Sequence, residues 1–188
     1  MFKKVKRLKE QSNIVFKSRF LSNLNPAQRY EFLQLCHRRT YKEGEYVFYK
    51  NDPGTGMYFI ENGTILLTIG DPEQEQSEEN ESSDNIISKL ELTSPDSFGA
   101  LSIGYNLRRK SSARCLTDCE LLGFFKPDFE VLRDRHPQIA VKFLQMLTNI
   151  ALRQLETTSN KLAEVASEQL ALNIQFQTYY EGGPEDTV

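Results

Sequence analysis

Two short apolar runs, Met57-Tyr58-Phe59-Ile60 and Thr64-Ile65-Leu66-Leu67-Thr68-Ile69, flank Glu61-Asn62-Gly63. Runs of this length, rich in aromatic and β-branched residues, are strands rather than helices. An Asn-Gly step between them predicts a tight hairpin, because both turn residues tolerate positive φ. Further strands are expected at residues 46–49, 86–92 and 119–125. Many short strands at such spacing point to a barrel or sandwich.

Helical patterns enclose this β region. Residues 1–35 look helical, with Asn25 as a cap, Pro26 in the first turn and Leu24, Phe32 and Leu35 on one side. A short helix is expected at residues 127–136, stopped by Pro137. From residue 138 to about 176, Val141, Leu144, Thr148, Ala151, Leu155, Thr158, Leu162, Val165, Gln169, Leu172 and Phe176 alternate at spacings of three and four. That is a heptad seam. Ile139, Phe143, Met146 and Leu147 are expected to pack on the β domain. Beyond Leu155 the seam reads as a contact between two helices.

The net charge is -3, yet residues 71–84 hold seven acidic and no basic residues. The stretch has no apolar residue with which to offset its ordering entropy. It reads as a mobile hairpin loop, dispensable for folding. The rest of the chain is then only mildly basic, which argues against a nucleic-acid-binding face. Lys3, Lys4, Lys6, Arg7 and Lys9 read as a solvated helix face.

The organisation expected is therefore a basic helical segment at 1–18, a β domain at 19–137, a helix at 138–178 and a disordered tail at 179–188. No run approaches the roughly 18 apolar residues of a membrane span, and the N-terminus lacks a secretory signal. No membrane association and a cytoplasmic location are expected. Cys36, Cys115 and Cys119 form no disulfide framework, which fits a reducing compartment. Their spacing does not favour zinc. His37 and His136 have no partner pattern, and no P-loop, nucleophile elbow or metal-binding helix is present. No catalytic residue, metal or cofactor is expected, and the chain is not expected to be an enzyme.

Gly44-Glu45-Tyr46-Val47-Phe48-Tyr49-Lys50-Asn51-Asp52, followed by Met57-Tyr58-Phe59-Ile60-Glu61-Asn62-Gly63, resembles the signature of cyclic nucleotide-binding domains. Asn51 stands where glycine is usual, and asparagine also tolerates left-handed backbone. Residues 98–112, FGALSIGYNLRRKSS, resemble that family's phosphate-binding cassette. Residues 155–162 are similar to the dimer helix of bacterial catabolite activators. The resemblance implies an α+β fold: an antiparallel, jelly-roll-like β-roll flanked by N-terminal helices and a long C-terminal dimerisation helix.

The resemblance also implies a ligand site. Arg109 matches the phosphate arginine, whose fork satisfies two oxygens at once. Gly99 lets the backbone approach the ligand. Ala100 and Leu101 open the cassette helix, Lys110 adds charge, and Ser112 or Ser111 donates to a phosphate oxygen. Thr158 and Ser159 would meet the base. Ala100 replaces the glutamate that holds the ribose 2′-hydroxyl, so binding is expected to weaken by about one to two decades. Ser102 and Gly104 replace apolar residues and are expected to loosen the cassette helix.

Two readings follow. In one, a homodimeric sensor takes cyclic AMP or cyclic GMP and signals to a separate protein effector. In the other, the pocket has decayed and a dimeric scaffold persists; Arg109 is then a solvated cation, and Thr158 and Ser159 are interface polar residues. DNA binding by this chain is not expected, because the sequence carries no helix-turn-helix after the dimer helix.

Overall fold

The computed structural model describes residues 13–69, 89–104 and 106–181, with side chains to residue 175. Two compact units are present, residues 1–144 and 145–188. The expectations placed on residues 1–12 and on the acidic stretch 71–84 lie outside the described residues.

Among the described residues, the first unit opens with α1 (Ile14–Lys17) and α2 (Pro26–Leu33). Asn25 caps α2 as expected: its side chain accepts from the Gln28 amide at 2.9 Å, and Gln28 accepts in return from the Asn25 amide. That reciprocal box satisfies two otherwise orphaned donors. Among the described residues eight strands follow, β1 (His37–Tyr41), β2 (Tyr46–Phe48), β3 (Gly56–Asn62), β4 (Thr64–Thr68), β5 (Lys89–Thr93), β6 (Ser97–Phe98), β7 (Ser112–Cys115) and β8 (Cys119–Phe125). They form two antiparallel four-stranded sheets, ordered β1-β8-β3-β6 and β2-β7-β4-β5, a jelly-roll arrangement.

Asn62-Gly63 is not a hairpin. β3 pairs with β8 and β6, whereas β4 pairs with β7 and β5, so the chain crosses between sheets at this point. Only Gly63 takes positive φ (93°); Asn62 remains in β3, paired with Glu120. A single left-handed residue turns a strand aside rather than back on itself. The crossing from β7 to β8 braces the corner: the Thr64 amide donates to Thr117 Oγ1 at 3.0 Å and the Leu116 amide to the Thr64 carbonyl at 2.9 Å. The acidic stretch does lie between two strands, β4 and β5, that pair antiparallel.

The β3 side chains alternate between two cores. Tyr58 and Ile60 face the space between the sheets, with Ile65, Phe98, Ala113, Cys115, Cys119 and Leu121. Met57 and Phe59 are equally buried. Phe59 meets Phe20 and Phe32, and Phe32 and Phe124 both contact Phe143. The β3–β8 sheet is thus covered on both faces, which is why Met57 to Ile60 is apolar without alternation.

α3 (Lys126–Arg135) and α4 (Pro137–Val165) follow. Ile139 and Phe143 are buried in the first unit, as expected. Met146 and Leu147 fall in the second unit. The helix expected to be continuous over 138–178 is interrupted: α4 ends at Val165 and α5 runs Glu168–Glu181. Ser167 causes the restart, its hydroxyl accepting from the Leu170 amide at 3.1 Å as an N-cap. Residues 179–181, expected in the tail, still belong to α5. The remaining tail residues lie outside the described set.

Candidate functional site

Three turns around β2 and β6 build the site. Gly44 takes φ 85°, and Glu45 closes that turn by accepting from the Lys42 amide at 2.7 Å. Asn51 takes φ 70°, the left-handed conformation its side chain tolerates. Asp52 closes this second turn through the Tyr49 amide at 2.8 Å. Between them these contacts account for the Gly-Glu and Asn-Asp steps of the signature. The third turn is Gly99, at φ 78°, which leads from β6 into a 3₁₀ turn over Ala100–Ile103. A side chain on Gly99 would overlap Arg109 Nη1.

Backbone bonds fasten the far end of the cassette to the Asn51 turn. The Asn51 amide donates to the Arg109 carbonyl and the Arg109 amide to the Asp52 carbonyl, both at 2.9 Å. The Gly54 amide donates to the Leu107 carbonyl at 2.9 Å. Arg108 is exposed and donates to the Asn51 carbonyl at 2.8 Å.

Arg109 is 5% exposed, so it is not a solvated cation. Nη2 donates to the Gly56 carbonyl at 2.7 Å, and Nη1 to Ser102 Oγ at 3.2 Å and the Gly99 carbonyl at 3.3 Å. The guanidinium lies 4.1 Å from the centre of the Phe48 ring, a cation–π distance. Nε is buried without a hydrogen-bond partner. Burial draws the Arg109 pKa down, while Tyr58 and Asp52 oppose the shift. Arginine stays charged regardless. The result is a nearly buried cation whose hydrogen-bond acceptors are all neutral.

The other expected site residues are placed unevenly. Ala100 and Leu101 are half-buried in the 3₁₀ turn, and Ala100 presents no acceptor. Lys110 is exposed and Ser111 half-buried. Ser112 is fully buried, and its hydroxyl accepts from the Lys50 amide at 3.0 Å, so it ties β7 to the turn after β2. Thr158 and Ser159 belong to the second unit. Thr158 is exposed; Ser159 accepts from Gln175 Nε2 at 2.6 Å.

The sequence pattern did not single out Gly56 or Phe48 as partners of Arg109. It marked Ser102 only as a residue that loosens the cassette helix. The polar residue at a position otherwise apolar was the available signal. A separate cleft of about 390 Å³, lined by Gln28, Glu31, Arg135 and His136 among others, shares no residue with the cassette. Among the described residues, no three His, Cys, Asp or Glu side chains are placed to hold a metal ion, and no helix is long and apolar enough to cross a membrane.

Comparison with known proteins bears on the same residues. The chain is 29% identical over 119 residues to the cyclic AMP receptor protein of Thermus thermophilus, covering 61% of this chain and 49% of that protein. It is 22% identical over 122 residues to human cGMP-dependent protein kinase 2, covering 65% of this chain and 14% of that one. The chain spans less than half the length of these curated relatives. Among solved structures, the Thermus thermophilus catabolite activator protein superposes with a TM-score of 0.61 at 25% identity, over 78% of this chain and 63% of that one. A cyclic nucleotide-binding domain from Methylobacillus flagellatus shares the fold, with a TM-score of 0.63 at 13% identity over 85% and 84%. The family model for the cyclic nucleotide-binding domain matches residues 38–136, from β1 to the end of α3 and across the whole Arg109 site. With more than half of its residues matched, the chain belongs to the cyclic nucleotide-binding domain family.

Proposed function

We propose that this chain is a non-catalytic regulatory domain that binds the phosphate of a cyclic nucleotide, cyclic AMP or cyclic GMP, through Arg109. One observation carries the reading: a guanidinium held at the cassette, almost fully desolvated, with neutral acceptors and an unpartnered Nε. A charge left in that state gains more from an anion than an exposed arginine would. Lys110 and Arg108, both exposed beside it, raise the local positive potential. The signal would pass through a homodimer formed by the C-terminal helices to a separate protein effector in the cytoplasm.

Ala100 favours a second reading, a dimeric scaffold without ligand, because the 2′-hydroxyl of a ribose finds no carboxylate there. Calorimetric titration with cyclic AMP and cyclic GMP separates the two. The sensor reading expects binding by the wild type and about tenfold or more tighter binding by Ala100→Glu. Absence of heat in both proteins up to millimolar nucleotide would leave the scaffold.

A further inference from the structure

Arg109 is enclosed by groups that the chain itself supplies. Gly56 contributes a carbonyl from β3, Gly99 a carbonyl from the turn after β6, and Ser102 a hydroxyl from the 3₁₀ turn. Phe48 of β2 covers the guanidinium. With 5% of the residue exposed, a ligand arriving from solvent cannot form a bidentate pair with it as it stands.

Of the three acceptors, only Ser102 is a side chain. Its own position is tightly defined. Ser102 is 6% exposed, and a side chain on Gly54 would overlap its Oγ. The Gly54 amide meanwhile donates to the Leu107 carbonyl, which ties the loop carrying Gly54 to the cassette. The two carbonyls would persist after any substitution at 102. The hydroxyl is thus the one hydrogen-bond acceptor on the guanidinium that a side-chain change removes.

We propose that Ser102 is a latch: its hydroxyl parks Arg109 on the inner wall of the roll, and an anionic ligand engages the guanidinium only after the Ser102–Arg109 bond is broken. This rests on the reading of Arg109 as the phosphate-binding residue. A parked arginine lowers apparent affinity by the fraction of time it spends parked. Removing the latch raises that affinity. Ser102 is therefore a positioning residue, acting through Arg109.

The test has a ligand-free arm and a ligand arm. Phenylglyoxal, which attacks accessible guanidinium groups, is applied to wild type and Ser102→Ala, and modification at Arg109 is followed by peptide mass spectrometry. Arg38 and Arg133 have side chains 69% and 60% exposed and serve as internal references. The latch expects Arg109 to react far more slowly than the references in wild type and about tenfold faster in Ser102→Ala. Both proteins are then titrated with cyclic AMP and cyclic GMP, and affinity is expected to rise by a similar factor in Ser102→Ala.

Equal Arg109 reactivity in the two proteins, or weaker nucleotide binding by Ser102→Ala, overturns the latch. Faster labelling with no binding in either protein keeps the latch and overturns the sensor reading instead. Should Ser102→Ala fail to fold, Ser102→Cys keeps the volume with a weaker acceptor. It is expected to give an intermediate labelling rate, and a rate equal to wild type overturns the proposal.

Discussion

The guanidinium of Arg109 lies 4.1 Å from the centre of the Phe48 ring, so one nearly buried cation joins β2, β3 and the cassette. Its removal has structural as well as binding consequences. Arg109→Ala leaves the Gly56 carbonyl and Ser102 hydroxyl without this donor, at about 1–3 kcal/mol for an unsatisfied buried group. Urea unfolding is expected to show a loss in that range. Wild type should gain about 2.7 kcal/mol at a cyclic nucleotide concentration 100-fold above Kd. Arg109→Ala should gain nothing, and equal stabilisation of both proteins would place the ligand elsewhere.

Gly63 and Asn51 both have positive φ, and their tolerance to substitution is expected to differ sharply. A Cβ on Gly63 would stand 2.6 Å from the Asp118 carbonyl and from Cys119 Sγ. Gly63→Ala combines that overlap with left-handed strain of about 1–2 kcal/mol. A loss of at least about 2 kcal/mol is expected from denaturant titration. Asn51→Gly relieves strain at φ 70° and should change stability by less than about 1 kcal/mol. Similar losses for both would show that the corner can open without cost.

Alkaline pH should destabilise the fold. Burial is the main cause that pushes the Cys115 thiol up to about 12, with the neighbouring Cys119 adding to it. Tyr41 is likewise pushed up to about 12, chiefly by burial and next by Tyr58. Groups whose folded pKa is raised stabilise fully below their unfolded values and lose that contribution as pH rises toward the folded ones. The window is therefore about pH 9–12. The urea midpoint should be flat near neutrality and fall through that window, and Tyr41→Phe should flatten the fall. Because the thiolate is the reactive species, Cys115 should resist thiol reagents at pH 8 until the protein unfolds.

Leu155, Val165 and Leu172 are exposed in the second unit, Val165 by 80%. Apolar side chains at these positions are the groups a second copy would cover. Sedimentation at tens of micromolar, roughly where weak helical pairs still associate, is expected to show a dimer. Leu162→Glu with Val165→Glu should give a monomer. A monomeric wild type at that concentration would remove the dimer from the functional reading.

The strands and caps carried by local chemistry were legible in the amino-acid order. Asn25-Pro26 marked the start of α2, Cys119–Phe125 stood out as a strand, and Asn51 tolerated its left-handed turn. The resemblance of residues 98–112 to a phosphate-binding cassette singled out Arg109, and Gly99 beside it does take a left-handed turn. The caps, strands and turns are properties of neighbours in the chain, where spacing and backbone preference are enough. β1 escaped notice because HRRTY is mostly polar and exposed; it is a strand through its backbone pairing with β8. Only tertiary structure decided that Gly63 turns β3 across to the other sheet, since that depends on which strands offer hydrogen bonds on each side. The same holds for Arg109. Its place in the motif marked it as a phosphate ligand, but whether its charge faces water or is folded onto Gly56, Ser102 and Phe48 depends on groups up to 61 positions away, a proximity that no local pattern encodes.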